Sequence, residues 1–354
     1  MKIVQVLTTL AFGDAVGNNC IAIDNLLHKK GYETGIYAEN VDPRLPSGTA
    51  QNIKKLGKLN DEDIIIYHYA IGCDLNKKVK DFGGRIIFQY HNVTPPEFFS
   101  EYSNEYYNAC NLGLLQLKEL NNVPEFCLAD SEYNKQDLIK AGYTCPIDVC
   151  PILIPYEDYD KKPNQKVVDQ YKGDGYVNFL FVGRIAPNKC QEDVIKAFAW
   201  YQKHINKKCR LFLIGSEGVP TYSRRLREYI EVLGVENVIL PGHIKFDEIL
   251  AYYHLADVFL CMSCHEGFCV PIIEAMYFNI PIVARNTTAI PYTLGEGGVL
   301  VDDNDPVIIA KLVEKIVSNK EFRDEIVKSQ NEHLQKFSTE SVEKHLIKVL
   351  QKWI

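Results

Sequence analysis

Short apolar runs alternate with segments of helical periodicity along nearly the whole chain of 354 residues. In the first half, the runs that predict strands are 3–7, 34–38, 63–69, 85–90, 126–129 and 147–152. Such β-branched runs, apolar on both faces, are typical of a parallel sheet buried between helices. A helix predicted over 19–30 ends at Gly31, the residue expected where a helix closes in a left-handed cap. The first half therefore predicts an α/β domain.

The pattern pauses over 155–176, a polar stretch with Pro and Gly that predicts a linker, and then restarts. The strands predicted after it are 178–182, 210–214, 238–240, 258–262, 282–284 and 298–301. The helices predicted between them are 191–204, 223–233, 246–254, 271–278 and 306–318. We therefore predict two Rossmann-like, doubly wound α/β domains, 1–160 and 161–335, facing a central cleft where ligands bind at the carboxyl ends of the strands.

A last helix is predicted over 340–353, with apolar residues at Val342, Leu346, Val349 and Leu350. No strand follows it, so the segment 336–354 is expected to return to the N-terminal domain. The length of the chain exceeds the size at which one hydrophobic core keeps growing, which also favours two domains.

Charge and apolar content narrow the classes of function. The formal net charge of −7 opposes a role in binding nucleic acid, which requires a basic surface. Lys77, Lys78 and Lys80 form a local basic patch, interpreted as a solvated helix end, which leaves peripheral membrane contact open. No run of about 18 apolar residues occurs, and the first residues lack the apolar core of a signal peptide. We therefore expect a cytoplasmic protein, and contact with the inner face of the membrane stays open.

The 11 cysteines are irregularly spaced, and many lie inside apolar runs. This pattern and the odd count indicate buried free thiols in a reducing compartment. Cys261 and Cys264 form a C-x-x-C, but no second ligand pair follows at zinc spacing and no redox-type fold surrounds them. No metal or redox role is assigned to this pair.

The most informative segment is 263–276, which follows a predicted strand and opens a helix. Gly267 permits the turn, and Pro271 suits the first helical turn. A helix amino terminus is a natural site for a diphosphate, because its N–H groups are unpaired and its dipole favours anions. Glu266 in the loop and Glu274 one turn into the helix bracket this turn. Carboxylates are good acceptors for vicinal sugar hydroxyls, so the segment predicts a site for a diphosphate and for sugar hydroxyls.

A second segment, 179–189, places Gly183 and Arg184 at the end of a predicted strand and Lys189 in the loop before the next helix. Two cations at the carboxyl end of a nucleotide-binding sheet could neutralise a diphosphate without a metal.

Together, Gly183-Arg184 with Lys189, and Glu266-Gly267-Phe268 with Pro271 and Glu274-Ala275, resemble the retaining glycosyltransferases of family 4, which have the GT-B fold. The resemblance covers essentially the whole chain. It implies that Arg184 and Lys189 hold the donor diphosphate, and that Glu266 binds the transferred sugar and Glu274 the ribose. The full donor-binding set that it implies is Gly183, Arg184, Lys189, His243, Ile244, Glu266, Gly267, Phe268, Cys269, Val270 and Glu274.

The N-terminal half offers weaker signals. A loop with Gly13, Asp14, Gly17 and Asn18 follows the first strand, and the resemblance implies that it approaches the donor phosphates or the acceptor. The G-x-G-x-x-G spacing of dinucleotide dehydrogenases is missing. His91 follows a strand, and the resemblance implies that it lines the reaction centre together with Glu266, Arg184 and Lys189 as catalytic residues. His68 is the weaker candidate on the preceding strand, and Ser131 is interpreted first as a helix cap.

The resemblance implies transfer of a sugar from a UDP- or GDP-linked donor to a glycan or lipid-linked glycan, in bacterial surface polysaccharide or lipopolysaccharide synthesis. No cofactor and no essential metal are expected, because Asp302, Asp303 and Asp305 lie where Asp305 suits a helix cap before Pro306. A sugar-nucleotide epimerase of the same architecture is one alternative. A non-catalytic subunit that binds nucleotide-sugar or glycan is the other, although Arg184, Lys189, Glu266 and Glu274 are all present.

Overall fold

The computed structural model describes residues 1–353, and Ile354 lies outside the described residues. The chain forms two compact units. Unit 1 comprises Met1–Glu97, Asn104–Tyr156 and the chain from Phe337 onward. Unit 2 comprises Phe98–Ser103 and Glu157–Lys336.

Residues 1–159 form seven strands and five α-helices, together with three short 3-10 helices. The strands are β1 (Lys2–Leu10), β2 (Glu33–Val41), β3 (Gln51–Asn52), β4 (Leu59–Tyr69), β5 (Gly83–Tyr90), β6 (Phe126–Ala129) and β7 (Ile147–Val149). The helices are α1 (Ala15–Lys29), α2 (Asp74–Lys78), α3 (Asn104–Glu119), α4 (Glu132–Lys140) and α5 (Tyr156–Tyr159). All pairings in this sheet are parallel, in the order β3-β2-β1-β4-β5-β6-β7. Unit 1 is therefore a doubly wound α/β domain.

The remaining elements repeat this architecture. The strands are β8 (Val177–Val182), β9 (Cys209–Ile214), β10 (Val238–Ile239), β11 (Val258–Cys261), β12 (Ile282–Arg285) and β13 (Val299–Val301). The helices are α6 (Gln165–Tyr171), α7 (Gln191–His204), α8 (Pro220–Leu233), α9 (Phe246–Leu255), α10 (Val270–Tyr277), α11 (Ile290–Leu294), α12 (Pro306–Ser318), α13 (Lys320–Leu334) and α14 (Thr339–Leu350). The second sheet is also parallel, in the order β10-β9-β8-β11-β12-β13.

The C-terminal helix α14 is part of the core of unit 1. Its four buried apolar residues are those that the sequence pattern singled out: Val342, Leu346, Val349 and Leu350. They pack with strand residues such as Ile3 and Ile64 and with residues of α1 such as Leu27. Burying an aliphatic side chain of this size stabilises a fold by about 2 kcal/mol, so α14 supports the first sheet substantially.

The boundary between the two units falls after Tyr156, inside the stretch 155–176 that was predicted as a linker, and half of this stretch is helical. It contains α5 and α6, and Asn164 caps α6 through Val167 N. Asn164 also binds Asp247 of α9, through its backbone N–H and through Nδ2, both at 2.8 Å. Capping and these cross-contacts outweigh the polar composition, because Asn and Asp side chains satisfy backbone groups that water would otherwise solvate.

The short segment Phe98–Ser103 belongs to unit 2, although the sequence ranges placed it in the first domain. The Tyr102 carbonyl accepts a hydrogen bond from Thr221 Oγ1 at 2.6 Å, and its hydroxyl accepts one from Arg225 at 2.7 Å. The Tyr102 ring meets Tyr222 edge to face, with 5.2 Å between centroids. An isolated hexapeptide carries no signal of such contacts, since Thr221, Tyr222 and Arg225 all lie far along the chain on α8.

None of the helices in the part of the chain that the structure describes combines the length and the apolar character that crossing a membrane requires.

Candidate active site

The candidate site of unit 2 lies where the strand order of its sheet reverses. Strands β8 and β11 are adjacent, but the chain leaves β8 toward β9 and leaves β11 toward β12. The loops after two such strands diverge and open a crevice at their carboxyl ends, which is where doubly wound sheets bind ligands. These two loops carry residues 183–189 and 263–266, which belong to the segments 179–189 and 263–276 that the sequence predicted as the donor site.

Gly215 lets the ends of β8 and β9 approach closely. It has φ +157°, and a Cβ at this position would lie 1.9 Å from the carbonyl oxygen of Gly183. The next residue, Ser216, accepts a hydrogen bond from Ile185 N at 2.9 Å. Gly215 was missed by the sequence interpretation. The only available signal was a glycine directly after a predicted strand.

Lys189 and Glu266 form an ion pair that joins the two loops. Lys189 Nζ lies 2.6 Å from both carboxylate oxygens of Glu266. The side chains are 17% and 8% exposed, respectively. An ammonium has three N–H donors and a carboxylate about four acceptor sites. Lys189 therefore keeps one N–H, and Glu266 about two acceptor sites, for a ligand.

Neighbouring backbone contacts fix this pair. Glu266 N donates to Thr288 Oγ1 at 2.9 Å, and Asn188, next to Lys189, accepts from Cys264 N at 2.9 Å. Asn188 Nδ2 also donates to the carbonyl of His265 at 3.1 Å. Burial lowers the pKa of His265 to about 4, so this ring stays neutral beside the ion pair at ordinary pH. These hydrogen bonds join the loop 183–189 to the loop 263–266, and we call the two joined loops the ledge.

Arg184 is the exposed cation of the site. Its carbonyl accepts a hydrogen bond from Gln191 Nε2 at 2.9 Å, which anchors the backbone of the loop to α7. Its guanidinium forms no ion pair with any residue that the structure describes. Its fork of N–H groups suits bidentate recognition of a phosphate.

Helix α10 begins at Val270, directly after Cys269, which has the left-handed φ of 76°. The carbonyl of Phe268 accepts a hydrogen bond from Thr293 Oγ1 at 2.5 Å, so α11 braces the turn. The first N–H groups of a helix lack acceptors within the helix. The turn at Gly267 thus directs the start of α10 toward the same switch point as Lys189 and Glu266.

Two tyrosine hydroxyls hold Glu274, a contact that sequence reasoning missed. Tyr159 donates to Oε1 at 2.7 Å, and Tyr253 donates to Oε2. Burial raises the pKa of Glu274, and the hydrogen bonds from Tyr253 and Tyr159 oppose that rise. With one hydroxyl on each oxygen, about two of its four acceptor sites stay available. The carboxylate is therefore oriented without being saturated.

His243 and Ile244 lie in the loop between β10 and α9. Strand β10 is the edge strand of the second sheet, two strands away from β8. Because all strands of this sheet are parallel, this loop lies at the carboxyl ends of the strands, as the ledge does. His243 is exposed and Ile244 is partly exposed.

In unit 1, the loop with Gly13, Asp14, Gly17 and Asn18 begins α1. Asp14 is the N-cap of α1 and accepts from Gly17 N at 3.4 Å, and Asn18 N bonds the Asp14 carbonyl. A Cβ on Gly17 would lie 2.7 Å from the carbonyl of Ala11, so close packing explains this glycine. The structure thus gives Asp14 and Gly17 structural roles in this loop.

A chain of buried polar side chains crosses the first sheet. His68 Nε2 bonds Gln5 Oε1 at 2.9 Å, and His68 Nδ1 bonds His91 Nε2 at 2.8 Å. His91 Nδ1 bonds Asp130 at 2.7 Å. Gln5 Nε2 donates to the Cys20 carbonyl, so Gln5 Oε1 is an acceptor.

Burial, reinforced by His91, holds the pKa of His68 well below its ordinary value. The other oxygen of Asp130 accepts a hydrogen bond from Gln89 Nε2 at 2.8 Å. Both nitrogens of His91 are occupied within unit 1, and its side chain is 2% exposed. The place of His91 at the reaction centre stays a prediction, and in unit 1 its ring is held by His68 and Asp130. Gln5, Gln89 and Asp130 were missed, and their signal was a polar residue within or directly after a buried strand.

Ser131 caps α4 through Asn134 N, and Asp305 caps α12 through Val307 N, which confirms both predictions. Cys261, Glu266 and Cys269 bring their side-chain ligand atoms within 4.8 Å of one another. The Lys189 ammonium already neutralises Glu266 there, so this cluster contains its own cation and we assign no metal to it.

Two doubly wound α/β units define the class of the GT-B fold, and the cations and glutamates of unit 2 lie at its switch point. The structure of Anabaena Alr3699/HepE in complex with UDP-glucose matches 99% of this chain and 100% of that chain, with a TM-score of 0.76 and 17% identity. At this identity the likeness shows the fold.

Residues 164–333 match the family described as "Glycosyl transferases group 1". Over 173 residues the chain is 26% identical to the serotype-specific mannosyltransferase WbdA of Escherichia coli, covering 48% of this chain and 21% of WbdA. Over 223 residues it is 26% identical to the O-antigen chain mannosyltransferase B of Escherichia coli, covering 59% and 55%. The chain thus spans about a fifth and about half of these two relatives.

Proposed function

We propose that this protein is a retaining glycosyltransferase that moves a sugar from a UDP- or GDP-linked donor to a glycan or lipid-linked glycan, in bacterial surface polysaccharide or lipopolysaccharide synthesis. The observation that carries the proposal is the largely buried Lys189–Glu266 pair at the switch point of unit 2. It lies inside the segment that matches the glycosyltransferase family, and similar proteins include two mannosyltransferases. Anabaena Alr3699/HepE, which has a similar fold, forms a complex with UDP-glucose.

Arg184 and the remaining N–H of Lys189 are assigned to the donor diphosphate. Negative charge develops on the leaving phosphate as the bond to the sugar breaks, so positioned cations lower the barrier to transfer. The start of α10 adds backbone N–H groups and the positive end of its dipole. Glu266, with about two acceptor sites left, is assigned to hydroxyls of the transferred sugar.

Glu274 is assigned to the ribose, because its two remaining acceptor sites match two vicinal hydroxyls. His243 and Ile244 are assigned to the base, at the β10 edge of the sheet. The acceptor hydroxyl attacks the same face from which the nucleotide departs, through an oxocarbenium-like transition state. No covalent protein nucleophile takes part.

Replacing Tyr159 by Phe should shift the pH dependence of nucleotide affinity. The hydroxyl of Tyr159 stabilises the Glu274 carboxylate, so its loss raises a pKa that burial has already raised. Affinity that needs the carboxylate is lost as pH falls through this pKa, and the loss should therefore begin at a higher pH in the variant. Calorimetric titration of nucleoside diphosphate across pH measures this.

Tyr277→Phe is the matched control for that variant. The Tyr277 hydroxyl bonds Asp160 at 2.5 Å, and its ring packs on Tyr159. Its loss should leave the pH midpoint unchanged. Equal midpoints in wild type and Tyr159→Phe would show that the tyrosine does not tune Glu274.

Turnover should survive excess EDTA, because Arg184 and Lys189 supply the positive charge that a metal would otherwise provide at the diphosphate. Initial rates with and without chelator, followed by addition of Mg²⁺ or Mn²⁺, test this. Complete loss of activity that a metal restores would require ligands such as Asp302 and Asp303 to be reconsidered.

A screen of UDP- and GDP-sugars for release of nucleoside diphosphate tests the proposed function. We expect slow hydrolysis of one donor without acceptor and faster release with a glycan. A changed sugar on an intact nucleotide would indicate an epimerase, and binding without turnover a non-catalytic subunit. Arg184→Ala serves as the control for release by contaminating enzymes.

A further inference from the structure

Three pairs of cysteine sulfurs approach each other in the described chain, and one of them joins the two loops of the candidate site. Cys190 and Cys264 have their Sγ atoms 2.9 Å apart. The other two separations are 3.6 Å for Cys127–Cys145 and 3.8 Å for Cys261–Cys269. Cys264 is therefore not paired with Cys261, its neighbour in the C-x-x-C sequence. Its partner lies 74 residues away.

The surroundings of Cys264 favour its thiolate. Arg285 Nη1 donates to Cys264 Sγ at 2.9 Å, and the Cys190 thiol donates to the same sulfur. The hydrogen bond from Cys190, together with the Arg285 guanidinium, lowers the pKa of Cys264 to about 7 against the effect of burial. Cys264 is also partly exposed, whereas Cys190 is buried. Cys264 is thus the attacking sulfur, and Cys190 is placed to resolve its oxidised form.

We propose that Cys190 and Cys264 are a modification site for hydroperoxides, at which they form a reversible disulfide. The Cys264 thiolate attacks the peroxide, the O–O bond breaks, and a sulfenic acid forms with release of hydroxide or alkoxide. The Cys190 sulfur then attacks the sulfenic sulfur and displaces water. Both thiols lose their hydrogens, two electrons pass to the peroxide, and a dithiol reductant reverses the change.

Oxidation acts on the ledge because these sulfurs lie beside its charged residues. Cys190 follows Lys189 directly, and Cys264 precedes Glu266 by two residues. Closing the bond moves the sulfurs about 0.9 Å nearer, from 2.9 Å to the length of a disulfide. The loops must absorb this movement, and a displacement of about 1 Å at a reacting centre can lower a rate up to about a hundredfold. Turnover of the oxidised protein should therefore fall about tenfold or more.

The test is to treat the full chain with stoichiometric hydrogen peroxide, block free thiols with N-ethylmaleimide, and map the peptides by mass spectrometry. We expect a Cys190–Cys264 cross-link, loss of turnover, and recovery of both by dithiothreitol. Cys264→Ser should prevent the cross-link and the loss. Cys190→Ser should leave a Cys264 sulfenic acid that dimedone traps. Cys145→Ser is the matched control, since it removes the other partly exposed cysteine of a close pair, and it should behave as wild type.

Peroxide oxidation of Cys145 with Cys264 still reduced would overturn the proposal, as would inactivation of Cys264→Ser at the wild-type rate. Formation of a Cys264 sulfinic acid without the cross-link would contradict the proposed role of Cys190. Peptide mapping needs no catalytic activity, and only the turnover measurement rests on the proposed function. A cross-link in a protein that transfers no sugar would therefore count against the proposed function alone.

Discussion

Replacing Lys189 by Ala should weaken nucleoside-diphosphate binding about tenfold to a hundredfold and also destabilise unit 2. The affinity falls because a charge-assisted hydrogen bond to phosphate, of about 1.5–3 kcal/mol, is lost. Stability falls because Glu266 is left with an unpaired charge at 8% exposure. Removing one partner of a buried ion pair costs about 3 kcal/mol. Calorimetry and urea unfolding measure the two effects.

Arg184→Ala separates the two effects. It should lose affinity to a similar extent but keep the stability of wild type, since Arg184 is exposed and forms no ion pair with a described residue. Lys196→Ala is the matched control for charge. Its ammonium pairs with Asp193 at 3.0 Å on α7, and it should retain nucleotide affinity. Unchanged affinity in both the Lys189 and the Arg184 variants would show that these two residues do not bind the diphosphate.

Glu266→Gln should turn over about a hundredfold more slowly while binding free nucleoside diphosphate at least as well as wild type. The carboxylate acts on the transferred sugar, which is absent from the free nucleotide, so its loss appears in turnover. The glutamine amide at position 266 also forms no ion pair with Lys189, so the charge of Lys189 is more available to the phosphate. Steady-state kinetics and calorimetric titration of the product give both quantities.

Glu274→Gln provides the contrast. Its carboxylate is assigned to the ribose, which donor and product share, so this variant should lose affinity for free nucleotide. The two tyrosine hydroxyls add to the loss, because an amide presents only one acceptor oxygen to Tyr159 and Tyr253. If Glu266→Gln loses nucleotide binding while Glu274→Gln keeps it, the donor is bound in the opposite sense.

Elements with a strong apolar pattern could be predicted closely from the sequence. The predicted helices 191–204 and 306–318 have the bounds of α7 and α12. Two long helices were not predicted, α3 and α13. The buried positions of α13 are only Ile326 and Gln330, so it has no apolar stripe to detect. Two of the four buried positions of α3 are Gly113 and Gln116, so this helix also lacks a continuous apolar stripe.

The candidate site could be predicted as a set of residue types but not as a set of contacts. Gly183, Arg184, Lys189, Glu266 and Glu274 follow from their place after strands. The Lys189–Glu266 pair joins residues 77 positions apart, and Tyr159 reaches Glu274 across 115. The bonds of His91 to His68 and Asp130 could not be predicted, because they depend on strand register that local sequence does not encode.

Time-resolved proton NMR of the reaction with the donor found by screening tests the central claim most directly. The first product should be a free nucleoside diphosphate together with a transferred or hydrolysed sugar whose anomeric configuration is that of the donor. Release should depend on Arg184 and Lys189. Inversion at the anomeric carbon, or a donor that changes its sugar while the diphosphate linkage stays intact, would contradict a retaining glycosyltransferase.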